Sequence, residues 1–189
     1  MKSYLKRYKT KIILIVMIII ICSFGAYFSN NSRVYRVKLP DLDLRESYKV
    51  VKIIDGDTFD IKVGKQSVRV RMLGVDAPET LNPHKAVQCY GKEASKKTEE
   101  LLIKNSVRLA TDSTQGITDK YNRILAYVIR DDGILINQYL LENGYVREYT
   151  YREVYEKQKE FKEFEREAKE GRKGLWGGVC KGDKRETKT

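Results

Sequence analysis

The rhythm of apolar and polar positions changes several times along this chain, and each change marks an element. Lys2, Lys6, Arg7, Lys9 and Lys11 form a basic run, and Ile12 to Phe28 then carries no charge over seventeen residues. At about 1.5 Å per residue such a helix reaches roughly 25 Å, a little short of a hydrocarbon core about 30 Å thick. Three readings of residues 1–28 stand: an uncleaved signal-anchor, a signal peptide cleaved near Ser23-Phe24-Gly25, or a buried helix of a soluble fold. Bulky Ile21 argues against lipid attachment at Cys22. The basic run holds the N-terminus in the cytoplasm, so everything after Phe28 is expected outside the cytoplasmic membrane, either anchored to it or secreted. Residues 29–46 are polar and mixed, with Pro40, and read as a stem.

From residue 47 the pattern becomes that of a packed domain. Val50–Ile54 reads as a strand and Phe59–Val63 as a second. Gln66–Val75 reads as a third, Val68, Val70 and Met72 alternating with Arg69, Arg71 and Leu73. Glu93–Lys104 follows as a helix with Ala94, Leu101 and Leu102 on its apolar side, and Val107–Ala110 and Ile124–Ile129 are two more strands. Ile134–Asn143 is helical, with Gly144 placed as its C-cap. Val154, Phe161, Phe164 and Ala168 then recur at helical spacing up to Gly171. Five short strands with about three helices appended imply an α+β, mainly β domain over residues 47–180, a five-stranded Greek-key barrel of the OB type. Strands and helices do not alternate, which excludes a doubly wound parallel sheet. Lys181–Thr189 reads as a disordered tail.

Composition changes this picture in one respect. The 189 residues carry 37 Lys+Arg against 26 Asp+Glu, a net +11 that suggests nucleic acid. Residues 1–11 alone hold +5, however, and residues 47–180 only +3. Most of the basicity therefore serves topology and tail, and any phosphate recognition by the domain must rest on a few placed groups. An apolar fraction of 41% excludes wholesale disorder. A single histidine, His84 in a polar loop, excludes sites built on two imidazoles, and three cysteines without a CxxC pair exclude zinc ribbons.

Candidate chemistry sits in three short segments. Asp55-Gly56-Asp57-Thr58 has the form of an ordinary hairpin turn, and Phe59 stands where an EF-hand would need a third oxygen ligand. Asp76-Ala77-Pro78-Glu79-Thr80 breaks a strand into a loop. Arg71 lies on the strand leading into that loop, where a guanidinium needs a partner, and Arg123 closes Thr118-Asp119-Lys120-Tyr121-Asn122. Together they make a chemical set. Asp57 and Asp76 are hard oxygen donors suited to Ca²⁺, Glu79 can orient or deprotonate a water, and Arg71 and Arg123 match phosphate oxygens bidentately.

These residues, with Val70, Val75, Tyr90-Gly91, Glu93-Ala94-Ser95 and Gly174-Leu175-Trp176, resemble the thermonuclease (staphylococcal nuclease) family over Tyr48 to Cys180, in the same order and similar spacing. The resemblance implies an OB-fold, Ca²⁺-dependent endonuclease that hydrolyses DNA, single-stranded or frayed, and RNA, leaving 3′-phosphates. Asp57 and Asp76 match its calcium ligands, with the carbonyl of Ala77 as a third. Arg71 and Arg123 match its phosphate clamps and Glu79 its proposed general base. Lys120, Tyr121, Tyr149 and Tyr151 match nucleotide-pocket residues, and Lys85 falls in a loop beside the site. Two positions depart: Ala77 stands where the best-known member has Thr, which removes a side-chain hydrogen bond but keeps the carbonyl, and Asn122 stands in place of Gly, a residue that tolerates positive φ.

With Cys22 assigned to the apolar segment, Cys89 and Cys180 remain as a pair, and some family members resemble this chain in having both. In an oxidising exterior they are expected to form a disulfide. The charged stretch Arg152–Lys173 mixes signs and reads as a solvated face. Two functions compete: a metal-dependent nuclease acting as a monomer, and a membrane-tethered OB-fold module that binds single-stranded nucleic acid without cutting it. A pure binding module has no need to keep Asp57, Asp76, Glu79, Arg71 and Arg123 together, which favours the enzyme.

Overall fold

A computed structural model of the protein describes residues 44–80 and 88–180. The N-terminal apolar segment, most of the stem, His84, Lys85 and the C-terminal tail lie outside the described residues.

Among the described residues, seven strands and three helices follow one another: β1 (Tyr48–Ile53), β2 (Thr58–Val63), β3 (Gln66–Met72), β4 (Val75–Asp76), α1 (Gly91–Leu102), β5 (Ser106–Ala110), β6 (Ile124–Arg130), α2 (Ile136–Glu142), β7 (Arg147–Glu148) and α3 (Gln158–Glu170), closed by a 3₁₀ turn at Gly174–Trp176. Five strands close a barrel in the order β1-β2-β3-β6-β5, as the sequence pattern implies. The β3–β6 pairing is parallel, matching Val70 to Ile124, and the ring closes where Tyr48 pairs with Val107. Alternation decides which side chains fill the barrel: Val68, Val70 and Met72 are buried, with Phe59 and Ile61 opposite on β2. Asp60, also buried, is matched across the ladder to Arg69, whose Nε donates at 2.9 Å.

Two elements differ from the sequence reading by more than a residue or two at an end. The stretch Gln66–Val75 is not one strand. It breaks at Gly74, whose φ of +73° and lack of a Cβ admit the Tyr155 ring to 2.7 Å of where that atom would sit. Val75–Asp76 then leaves the barrel and pairs antiparallel with Arg147–Glu148, placing Asp76 opposite Arg147. The last helix begins at Gln158, well after Val154, which is 63% exposed. Side chains upstream hold that segment as a loop: Thr114 Oγ1 donates to the Val154 carbonyl and the Glu156 N–H donates to Asp112 Oδ2. Within α3, Phe161 and Ala168 are buried as their spacing requires.

At the end of α2, Gly144 lies one residue past the Asn143 cap with φ +67°. The N–H groups of Gly144 and Tyr145 donate to the carbonyls of Leu141 and Leu140, the paired bonds of a Schellman motif. The expected stop signal therefore works as read, and it turns the chain into β7 and the cleft beyond.

Candidate active site

The turn between β1 and β2 packs against the start of the Asp76–Thr80 loop. Asp55 Oδ1 accepts the Asp57 N–H at 3.0 Å, an Asx turn that shapes the hairpin tip. Gly56 is required for space: a Cβ there would lie 2.7 Å from the Ala77 Cβ and 2.9 Å from the Ala94 Cβ. Its carbonyl accepts from Thr98 Oγ1 on α1 at 2.7 Å, fixing the turn to the helix.

This packing brings the separate acids to one guanidinium. Arg71 Nη1 lies 2.9 Å from Asp57 Oδ2, and Arg71 Nη2 lies 3.1 Å from Asp76 Oδ1. Nη1 also donates to the Val75 carbonyl at 2.7 Å. The Arg71 side chain is only 12% exposed, so the partners that its burial demands are the two aspartates. Asp57 is buried and heavily engaged: Oδ2 accepts the Ala77 N–H at 2.6 Å and Oδ1 accepts from Thr58 Oγ1 at 2.8 Å. Asp76 is the more open of the two, its side chain 35% exposed.

Asp55 adds a third carboxylate, one that sequence reasoning did not single out. Burial, and then the neighbouring charge of Asp57, push its carboxyl up to about 7. Asp57 and Asp76 share one buried guanidinium, with Asp55 next to Asp57, and this clustering of hard oxygen donors suits a cation such as Ca²⁺. Among the described residues no three His, Cys, Asp or Glu side chains converge as a ready-made cage. The calcium chemistry fits instead a pair of carboxylates completed by a backbone carbonyl and water.

Arg123 is built by a tight turn. Asp119 Oδ1 accepts the N–H groups of Tyr121 and Arg123 at 2.8 and 3.0 Å, while Asp119 Oδ2 accepts from Arg123 Nε at 2.6 Å. Burial pushes the Asp119 carboxyl up, but these bonds from Arg123 and Tyr121 outweigh it and hold the group below the ordinary aspartate value. Asn122 takes φ +60°, so asparagine does supply the positive φ of the turn. Tyr121 carries Lys120 Nζ and the Arg123 guanidinium over its ring, at 5.0 and 5.3 Å from the centroid.

The two clusters face a common cleft of about 640 Å³, whose lining includes Arg71, Asp76, Lys120, Arg123, Tyr149 and Tyr151. Tyr121, Tyr149 and Tyr151 are all exposed, and the last two rings lie 6.4 Å apart. The Tyr149 N–H donates to the Gly74 carbonyl at 3.1 Å, so the bend that ends β3 also holds this wall. Asp57 and Glu79 are not part of the lining. Glu79 sits in the loop after Ala77, its Oε1 accepting the Thr80 N–H at 3.1 Å. Its backbone N–H donates to Gln88 Oε1 at 2.5 Å, another contact missed from sequence. Cys89, next along the chain, is disulfide-bonded to Cys180, with Cα atoms 5.5 Å apart. Lys85 is outside the described residues.

A family profile described as "Staphylococcal nuclease homologue" matches residues 69–178, more than half of the chain. The chain belongs to the staphylococcal nuclease family. The Thermonuclease of Staphylococcus hyicus is 36% identical over 173 residues, spanning 91% of this chain and 99% of its own. The Thermonuclease of Staphylococcus intermedius is 38% identical over 148 residues, 78% of this chain and 84% of its own. An SPbeta prophage-derived endonuclease of Bacillus subtilis is 36% identical over 126 residues, 66% of this chain and 42% of its own. The matched region contains Arg71, Asp76, Glu79 and Arg123, while Asp57 lies just ahead of the profile match.

Proposed function

We propose that the protein is an endonuclease that hydrolyses phosphodiester bonds of DNA and RNA with Ca²⁺, outside the cytoplasmic membrane, leaving 3′-phosphates. The observation that carries this reading is the Arg71 guanidinium shared by Asp57 and Asp76, in a cleft that Arg123 enters from a separate turn. Asp57, Asp76 and the Ala77 carbonyl are the groups that would hold Ca²⁺, which supplies charge neutralisation at the phosphate and a more acidic water.

The side chains of the chain itself do the rest. Glu79 takes the proton from the attacking water. Arg71 and Arg123 donate to non-bridging phosphate oxygens, and their bonds strengthen as negative charge builds towards the transition state. Each already has a carboxylate partner, so neither guanidinium has to be oriented anew when substrate arrives. Tyr121, Tyr149 and Tyr151 offer exposed faces to bases, and Lys120 lines the same cleft, where its ammonium can meet a phosphate. Stacking of this kind contributes about 1–3 kcal/mol per base and requires bases out of the duplex, which favours single-stranded or frayed substrate.

The extracytoplasmic location rests on the basic run and apolar segment at the N-terminus and is supported by the Cys89–Cys180 disulfide, which suits an oxidising compartment. The protein acts as a monomer in this reading. The deciding experiment incubates purified protein with denatured DNA and with RNA, with calcium or with a chelator. Cleavage dependent on calcium and leaving 3′-phosphate ends is expected. Binding without cleavage of either polymer would overturn the enzyme in favour of a nucleic-acid-binding module.

A further inference from the structure

Glu79 has both of its backbone polar groups bound by a single residue. Its N–H donates to the side-chain Oε1 of Gln88 at 2.5 Å, and its carbonyl accepts the Gln88 N–H at 2.9 Å. Gln88 is itself held. Its carbonyl accepts the N–H of Gly91, the first residue of α1, at 3.1 Å, and Cys89 beside it is tied covalently to Cys180. The far side of the Glu79 segment is packed as closely: a Cβ on Gly91 would lie 2.6 Å from Thr80 Cγ2 and 2.9 Å from the Pro78 carbonyl oxygen. Two residues before Glu79, the Ala77 N–H is bound by Asp57. The loop bearing Glu79 therefore cannot shift independently of helix α1 or of the turn at Asp57.

We propose that Gln88 is a positioning residue for the reaction: with the Cys89–Cys180 disulfide as its anchor, it fixes the backbone of Glu79 and so the place where the Glu79 carboxylate meets water. The role rests on the hydrolase reading above. Its chemical requirement is one neutral or anionic acceptor at the end of a four-atom side chain, because the group it must satisfy is a peptide N–H. General-base catalysis depends steeply on reach, and a displacement on the order of 1 Å can cost up to about 100-fold in rate. A residue acting only on stability would change melting and leave the turnover of folded molecules alone. A positioning residue lowers kcat and spares KM, because the cleft walls that bind substrate are elsewhere.

The test uses the full-length protein and two substitutions, with cleavage kinetics on denatured DNA and hydrogen exchange at the Glu79 amide measured without substrate. Gln88→Met keeps the shape and removes the acceptor; kcat is expected to fall about ten-fold at unchanged KM, with Glu79 amide exchange faster by about the same factor. Gln88→Glu keeps an acceptor and is expected to recover both to within about three-fold. Exchange in β2 and β6 should stay at wild-type levels in both variants, showing that the barrel is intact. An active wild type with unchanged kcat in Gln88→Met, a loss appearing in KM, or equal losses in the two variants overturns the role of Gln88 alone. A wild type that cuts neither DNA nor RNA overturns the hydrolase reading and this role together.

Discussion

Arg123 Nε donates to Asp119 Oδ2 at 2.6 Å within a single turn of five residues. The same carboxylate accepts two backbone N–H groups, so it shapes the turn and aims the guanidinium at once. Asp119→Ala is therefore expected to lower cleavage by up to about 100-fold through misplacement of Arg123. Arg123→Ala should cost about 10²–10³-fold, the range seen when one donor to a developing oxyanion is removed. The double substitution should be little worse than Arg123→Ala, since both act through one group; fully multiplicative losses would show that Asp119 works by another route.

Asp57 lies between the Ala77 amide and the Arg71 guanidinium. Asp57→Asn keeps the shape and removes the charge, and is expected to raise the calcium concentration for half-maximal cleavage by at least about ten-fold. Calcium titrations of cleavage rate read this directly. A curve superimposable on that of wild type would remove Asp57 from the metal site.

The disulfide closes a loop with a sequence separation of 91 residues. On the chain-entropy account, replacing both Cys89 and Cys180 with serine should destabilise the fold by about 2–5 kcal/mol. Urea denaturation of the variant, or of wild type under reducing conditions, measures the loss. No shift in midpoint in either experiment would mean that the bridge does not restrain the unfolded chain.

Asp112 is buried where the loop after β5 meets the segment ahead of α3. It accepts from Thr114 Oγ1 at 2.6 Å, from the Glu156 N–H at 2.8 Å and from the Tyr127 hydroxyl. Burial raises its pKa, but these bonds overcome the effect and hold it below the usual aspartate range. A depressed folded pKa gives stability that is complete above the unfolded value near pH 4 and is lost as pH falls towards the folded one. Asp112→Asn should cost about 1.5–3 kcal/mol at pH 7 and flatten the acid side of the stability profile. Denaturation midpoints at pH 7, 5 and 3 test this; equal losses at all three would exclude a role for its charge.

The barrel was legible because apolar positions alternate along β2 and β3: Phe59, Ile61, Val68 and Val70 are buried where period two places them. Gly144 announced the end of α2 for the same local reason, a backbone conformation that glycine accepts without cost. The two-residue strands β4 and β7 carry no readable period, and their pairing depends on contacts between residues far apart in sequence. Val154 shows the converse error. It continues the helical spacing of Phe161 by chance, while Thr114 and Asp112 hold its segment as a loop. In the site, Arg71 could be recognised as a cation needing partners, but nothing local to Gln88 announces that its amide serves Glu79. Asp119 left a fainter trace, an acid opening the turn that Arg123 closes.

The span of the Cys89–Cys180 bridge also bears on the order in which the protein matures. A growing chain exposes Cys89 and then needs 91 more residues before its partner exists. At a synthesis rate of about 5–20 residues per second, that is a wait of roughly 5–18 s. During that interval Glu79 and Gln88 already lie on the emerged segment, but the covalent anchor beside them cannot form. The loop that carries Glu79 would then gain its covalent restraint only once Cys180 has been made, later than every contact formed within residues 44–80 and 88–91.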